Sequence, residues 1–434
     1  MFKNFINAFK VKEIRNKILL TFLLVLIYRL GCWIPVPGVD ASAFATQVSG
    51  DEGFLGLLSS VSGGALANGS LLALGIAPYV SASIIIQLLT IAIPSLERLS
   101  KMGDEGRKKI ANYTKIAALV LAIAQAVAIV ISFEGVLKES TLGDGFRLPT
   151  WIVGTIVTLI LIAGSMFTYW LGEKITELGI SNGQSILIFV GILSTAGTSL
   201  YANFSSVIKG DMGSLTELLL FILALVLIFG FIVWIDGSER KVPVQYAKQI
   251  KGRKMYGGQS TFIPIRVNAT GVMPIIFAMS LLSFPQLILS IFVDTSTNKF
   301  YQWYSKWLGA GSWVYIILVG LLITFFAYFW TQITFNPEDV SKNIQQNGGF
   351  IPGIRPGKPT AEYLKKISNR VTLFGALFLS VIAIIPSLIF KSISGSLVGA
   401  FSATGLLIVV SVAIEFDKSL EAQMIMKSYK GFLK

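Results

Sequence analysis

The chain has 434 residues, of which 53% are hydrophobic and 14% charged, with a formal net charge of +13. A soluble globular domain carries roughly a quarter charged residues, so this balance excludes an ordinary soluble fold and points to a lipid-embedded bundle. With one cysteine, Cys32, and no histidine, the chain has no internal disulfide framework, CxxC site, zincin motif or imidazole base.

Residues 1–17 are basic and lead into the first apolar run, 18–34. This resembles a signal peptide, and an A-x-A triplet follows at Ala41 and Ala43. Pro35 and Pro37 intervene, however, so the run is read as a retained first helix. Arg29 is the single charge well inside an apolar segment, and it is read as snorkelling to the outer interface. Segment 54–70 is half-apolar, rich in small residues and too short to span. It is expected to be half-inserted, with its irregular backbone buried in protein or lining a cavity.

Further apolar runs follow at 71–93, 116–133, 151–171, 180–200, 218–235, 271–293, 313–335, 371–390 and 398–414. The clearest, 218–235, has no charge over eighteen residues, nearly a full crossing at about 1.5 Å per residue. Ten spans with an inside N-terminus place 29 Lys and Arg in inside segments and 6 in outside loops. That asymmetry predicts both termini on the cytoplasmic side. Five spans per half make residues 1–205 and 212–420 candidate inverted repeats, with 421–434 as a tail. Two inside loops, 236–268 and 336–370, carry 13 of the 29 inside charges and are rich in Gly and Pro. They are expected to dock partners.

The chemistry of enzymes is missing. Gly179–Gly183 matches G-x-S-x-G in letters only, since a nucleophile elbow needs a sheet and a His base, and neither is expected. Gly179 and Asn182 read instead as a turn and helix cap. Gly357-Lys358 is followed by Pro359, so no Walker A motif exists. No enzymatic activity, metal or cofactor is expected. The near absence of carboxylates from the spans also weakens a solute-transporter reading.

Several segments, in order along nearly the whole chain, resemble the bacterial SecY family. They are IPVPG at 34–38, GGAL at 63–66, GIAPYVSASIIIQ at 75–87, GRKK at 106–109, YAK at 246–248, GQST at 258–261, GGFIPGIRPG at 348–357 and LLIVV at 406–410. The resemblance implies an all-α membrane protein with ten transmembrane helices in two inverted five-helix halves around a central pore. It implies a protein-conducting channel in the bacterial plasma membrane that passes unfolded polypeptides and signal peptides and releases membrane helices into lipid. An accessory SecY paralogue, or a solute transporter, is the alternative.

By the same resemblance, Ile76, Val80, Gln184, Ile188, Ile276 and Ile408 form an apolar ring at the pore waist. The pairs 76/80 and 184/188 each share one helical face. Gln184 departs from the family pattern, which has an apolar or small residue there. A plug is implied over about 54–67, including Phe54, Leu57, Leu58, Gly63, Gly64 and Leu66. Ser81 and Phe284 match facing lateral-gate positions, while Gln87 and Gln125 read either as gate residues or as packing hydrogen bonds. Arg240, Lys241, Lys248, Arg355 and Lys358 would contact SecA or the ribosome and its RNA. SecE and SecG are the implied membrane partners.

Overall fold

The computed structural model describes residues 8–37, 39, 59, 62–132, 141–142, 146–147, 149–208, 212–246, 249–251, 254–256, 260–268, 271, 273–292, 299–308, 312–393 and 403–432. These residues group into two compact units. The first comprises Met1–Leu220, Ser280–Tyr315 and Ser387–Lys434, and the second Phe221–Met279 and Ile316–Pro386.

The helices are α1 (Lys12–Gly31), α2 (Ala77–Ala92), α3 (Pro94–Lys101), α4 (Asp104–Ser132), α5 (Thr150–Leu178), α6 (Gly183–Ile208) and α7 (Met212–Asp236). They continue with α8 (Met273–Phe292), α9 (Lys299–Leu308), α10 (Trp313–Thr334), α11 (Pro337–Gln346), α12 (Lys358–Ile393) and α13 (Ala403–Phe432). Ten of them carry the ten apolar runs. By length and hydropathy, four of the described helices are long and apolar enough to cross a membrane, and a fifth if the pair α2–α3, bent by 101°, is counted as one span. Two more, α6 and α7, present shorter apolar stretches among the described residues, Gly183–Thr198 and Leu225–Asp236.

The helix faces are inverted relative to a soluble bundle. On α4, Ala118, Ala122 and Ala126 are buried, four residues apart, while Ile116, Val120, Ile123 and Val127 face outward. On α1, the buried residues Ile14, Thr21 and Tyr28 recur every seventh position, and Leu19, Phe22, Leu23, Leu26 and Leu30 are exposed. Small residues on the inner face let backbones approach closely where lipid removes the hydrophobic drive for helices to associate. In the first unit, α4 packs on α2 and α5, α5 on α6, and α6 on α13.

Glycines mark the tightest approaches. A Cβ on Gly183 of α6 would run into the Gly172 carbonyl oxygen of α5 and lie 2.6 Å from Ile175 Cβ. The α5–α6 turn is capped as the sequence suggested, because Asn182 Oδ1 accepts the Gln184 and Ser185 backbone N–H groups at 3.0 and 3.4 Å. Three segments predicted to lie on the inside converge at one end of this unit. Ala8, Ile14, Ile180 and Leu420 form one apolar cluster. Lys17 Nζ donates to Gln423 Oε1 at 3.2 Å, and Gln423 Nε2 donates to the Ile180 carbonyl at 3.1 Å.

The second unit corrects the expectation of no sheet. Its strands β3 (Glu239–Tyr246), β6 (Ser260–Arg266) and β7 (Gly349–Phe350) form an antiparallel sheet in the order β6-β3-β7. Small hairpins accompany it: β4 (Gln249–Lys251) with β5 (Lys254–Tyr256), and in the first unit β1 (Thr141–Leu142) with β2 (Phe146–Arg147). The reason is legible in β3, where Val242 and Val244 are buried and their neighbours exposed. That period of two belongs to a strand with one covered face. Val242, Val244, Ile265, Ile344, Ile351 and Leu364 make the core beneath the sheet.

Helix ends also differ from the apolar runs. α12 begins at Lys358 and α13 ends at Phe432, each well beyond its run. Apolar length measures the lipid crossing, whereas Lys, Glu and Ala keep a helix going in water.

The glycine contacts predict a contrast. Gly375 of α12 has no room for a Cβ, which would run into the Val267 carbonyl oxygen, while nothing lies within 4 Å of one on Gly197 of α6. Gly375→Ala should lose about 1–3 kcal/mol of stability, whereas Gly197→Ala should be neutral or gain up to about 1 kcal/mol. Thermal midpoints of the purified protein in detergent measure both.

Candidate functional site, a lined path and two basic loop tips

Five of the six ring positions lie in the first unit. Ile76 is the residue before α2, is buried, and its carbonyl accepts the Val80 N–H at 3.1 Å. That bond fixes Ile76 and Val80 on one face. Gln184 and Ile188 stand one turn apart at the start of α6, with Ile188 buried and Gln184 half-buried. A Cβ built on Gly172 of α5 would meet Gln184 Cγ at 3.3 Å and Ile76 Cδ1 at 3.4 Å. The bare glycine therefore brings the side chains of Ile76 and Gln184 to one spot. Ile408 is buried on α13, the helix that packs on α6. Ile276 is half-buried on α8 in the second unit, between the buried Ile275 and Phe277.

Of the plug positions, Phe54, Leu57 and Leu58 lie outside the described residues. Gly63, Gly64 and Leu66 belong to a turn-rich stretch over 62–76 that is largely buried. Leu66, Ala73 and Leu74 share a core with Val36, Ala126, Ile129, Val153, Val157 and Leu161. Most of its backbone bonds are turns within the stretch, and two tie it to the chain after α1: Val36 N–H donates to the Gly69 carbonyl at 2.8 Å, and Leu71 N–H to the Ile34 carbonyl at 2.9 Å.

Arg29 corrects its snorkelling assignment. Its guanidinium donates to the Gly63 carbonyl, at 3.5 Å from Nη1 and 3.4 Å from Nη2, and Nη2 also donates to Ser194 Oγ on α6. The acceptors come from elements 34 and 165 residues away, a separation no local pattern discloses.

Among the lateral-gate positions, Ser81 is half-buried on α2. Gln87 Nε2 donates to Ser83 Oγ at 3.2 Å, one turn away, and its Oε1 has no partner among the described residues. Gln125 on α4 is buried with an unpartnered Oε1. The Phe284 side chain lies outside the described residues.

A further cluster was not anticipated. Lys115 Nζ stands 3.0 Å from Glu173 Oε1 and 5.6 Å from the Tyr169 ring centroid, and that ring contacts Tyr79 at 4.5 Å. Tyr79, Lys115 and Glu173 lie on three different helices, α2, α4 and α5, so only the fold assembles the group.

In the second unit, Arg240 and Lys241 are exposed on β3. Lys241 Nζ lies 3.5 Å from Glu239 Oε1 and 4.7 Å over the Phe262 ring. Lys248 lies outside the described residues. Arg355 and Lys358 are exposed at the other tip. Ile351 anchors that tip in the core under the sheet, while Gly353 and Gly357, at φ +82° and +95°, turn the chain. Ser341 Oγ donates to the Gly357 carbonyl and Thr360 Oγ1 to the Arg355 carbonyl, both at 2.8 Å. A fixed backbone thus presents an exposed guanidinium.

The SecY family model matches residues 70–416. Over 442 aligned residues the chain is 41% identical to the protein translocase subunit SecY of Streptomyces coelicolor, with the whole of both covered. The chain belongs to the SecY family. Its fold is accordingly the ten-helix, all-α architecture of SecY, with the small sheet added at the loops. Two solved structures share that fold. One, from work on the SecY plug domain stabilising the closed state of the translocation channel, is 21% identical with a TM-score of 0.66, covering 93% of this chain and 91% of that one. The other, Sec61 in a canine ribosome–channel complex, is 19% identical with a TM-score of 0.59 and the same coverage.

Burial of Ile351 should govern the second loop tip. Ile351→Ala is expected to cost about 2–5 kcal/mol locally and to speed amide hydrogen exchange across residues 349–360. Exchange in α10 should stay as in the parent, and mass spectrometry of the exchanged protein reads both.

Proposed function

We propose that this chain is the central subunit of a bacterial protein-conducting channel, which passes unfolded secretory proteins across the plasma membrane and releases membrane helices sideways into it. Full-length identity of 41% with a protein translocase subunit carries the reading. The absence of histidine and of a Walker A motif from the sequence agrees with a passive path whose driving energy comes from outside.

The waist of that path is proposed at Ile76, Val80, Gln184, Ile188 and Ile408, with Ile276 added on sequence grounds. Apolar side chains in a narrow passage repel ions by desolvation yet adapt to any passing side chain. One amide among them, Gln184, beside Gly172, is tolerable because the other positions remain apolar. Ser81, Gln87, Gln125 and Phe284 are proposed as lateral-gate positions; the unpartnered amide oxygens of Gln87 and Gln125 suit an interface that changes partners. The inverted halves 1–205 and 212–420 follow from five spans each. Cytoplasmic termini follow from the charge asymmetry, and the convergence of Ile14, Ile180 and Leu420 supports a shared side for both.

The ribosome is one partner this reading implies, since a structural neighbour is a ribosome-bound channel. SecA, SecE and SecG are proposed from the family. Arg240, Lys241, Lys248, Arg355 and Lys358 would meet a motor or ribosomal RNA at the two loops.

Reconstitution tests the function. The chain is placed in vesicles with SecE and SecG, then given SecA, ATP and a secretory precursor. Precursor should become protected from external protease; no protection beside a working translocon would sink the reading. Arg355→Glu should cut transport about tenfold or more, as loss of one to three kcal/mol of charged contact would, while the thermal midpoint stays put. Normal transport by that variant removes Arg355 from the docking surface.

A further inference from the structure

One contact in the first unit has no counterpart in the family reading above. Arg29 sits in the last turn of α1, half-buried. Its guanidinium bonds the Gly63 carbonyl and Ser194 Oγ together. No carboxylate pairs with it among the described residues.

Three further features surround the same point. Tyr28 Oη donates to the Ser62 carbonyl at 3.4 Å, and Cys32 Sγ lies 3.9 Å from that same oxygen. Residues 28, 29 and 32 therefore form one face of α1 that holds two consecutive carbonyls, 62 and 63. Gly63 has φ +71°, and a Cβ there would run into Arg29 Nη1 and lie 2.8 Å from Gly191 Cα and 2.9 Å from the Gly191 oxygen. Only glycine fits between the α1 guanidinium and the α6 backbone. Gly64 beside it has φ +79° and nothing within 4 Å of a Cβ, so the turn is tightly held on one side only.

We propose that Arg29 is the positioning residue that pins the Ser62–Gly64 turn between α1 and α6 in the resting channel, and that its release accompanies opening. The proposal rests on the channel reading above and adds to it a named contact. The contacts to the Gly63 carbonyl are long, at 3.4–3.5 Å, and hold the turn together with the bond to Ser194 rather than singly. With neutral oxygens as its acceptors among the described residues, the guanidinium can exchange them for water or a passing polypeptide carbonyl. Arg29 is suited to this by its planar fork, which reaches a carbonyl and a hydroxyl on two elements at once. A lysine offers a single point of contact.

The test uses the full-length chain in lipid with two readouts. The first is amide hydrogen exchange at residues 62–66, which does not depend on transport. Arg29→Leu should speed it about tenfold or more, the loss of one charged hydrogen bond, while exchange in α4 and α5 stays unchanged. Ser194→Ala, a milder change that keeps Arg29, should give a smaller local gain. Arg29→Lys should restore part of the protection. The second readout is leak of chloride from vesicles holding the resting channel, expected to rise severalfold for Arg29→Leu and less for Ser194→Ala, with precursor transport retained.

Unchanged exchange at 62–66 in both the leucine and alanine variants would overturn the pin. Local gain in exchange without added leak would overturn its part in sealing. Exchange that rises everywhere in Arg29→Leu, with Ser194→Ala at the parent level, would make Arg29 a general packing residue and also overturn it. A parent chain that fails to transport strikes the channel reading, and the exchange result still decides whether the pin exists.

Discussion

In hydrocarbon a backbone amide has no water to bond, so non-helical chain survives there only when protein covers it. On the half-inserted placement proposed from the sequence, the stretch 62–76 meets that constraint among the described residues. Its amides and carbonyls are met by turns within the stretch, by the chain at 34–36, and by Tyr28 and Arg29 of α1. Its apolar side chains, Leu66, Ala73 and Leu74, are buried among α4 and α5. The helices around it are shaped for the task. Gly164 of α5 lacks a Cβ where one would run into the Leu71 carbonyl oxygen, so the irregular backbone lies directly on the helix. Gly31 of α1 likewise leaves room for Leu72, whose Cδ1 would lie 2.6 Å from a Cβ there. Close glycine contacts replace the packing that larger side chains provide in water.

The same constraint explains why Arg29 is placed as it is. A guanidinium in an apolar helix costs several kcal/mol unless it finds acceptors or water. Carbonyls freed by an irregular segment are acceptors without a charge of their own. The segment needs donors and the arginine needs acceptors, so each satisfies the other. Replacing either alone carries a cost: an apolar residue at 29 would strand the Gly63 carbonyl, and a side chain at 63 would displace the guanidinium.

What could be read from the sequence follows the range of the forces involved. Ten apolar runs were legible because hydropathy is local, and the helices carry them. Asn182 was legible as a cap because an Asx side chain bonds amides two and three residues on. The sheet was legible in principle. Val242 and Val244 alternate with polar neighbours in ERKVPVQY, but the basic residues there drew the reading toward a docking loop. Helix ends were not legible from apolar length, since α12 and α13 continue as polar helices. The partners of Arg29 were beyond reach, because nothing within a few residues of position 29 announces Gly63 or Ser194. At the ring positions the spacing 76/80 and 184/188 was visible. The glycine at 172 that brings Ile76 and Gln184 together was not, because it lies on another helix.

The second unit applies the same logic on the polar side. On the docking proposed above, a loop that presents charge to a large partner faces an entropic cost, since each rotamer-rich side chain and each free residue must be ordered on binding. Here the cost is reduced in advance. β3 and β6 pair over seven residues, β7 extends the sheet, and Ile351 and Leu364 close the core beneath it. Asn268 Nδ2 donates to Asp236 Oδ1 at 2.8 Å, joining the end of α7 to the chain just past β6. Gly353 and Gly357 supply left-handed turns, and two hydroxyl bonds to backbone oxygens hold the loop between Ser341 and Thr360. The side chain of Arg355 is left exposed on a backbone that is already ordered. Thirty-odd residues are needed because the loop is a small folded platform, with its own core, rather than a tether. Positive charge alone would orient the chain in a membrane. A buried core under that charge is what turns an orientation signal into a surface that can be recognised.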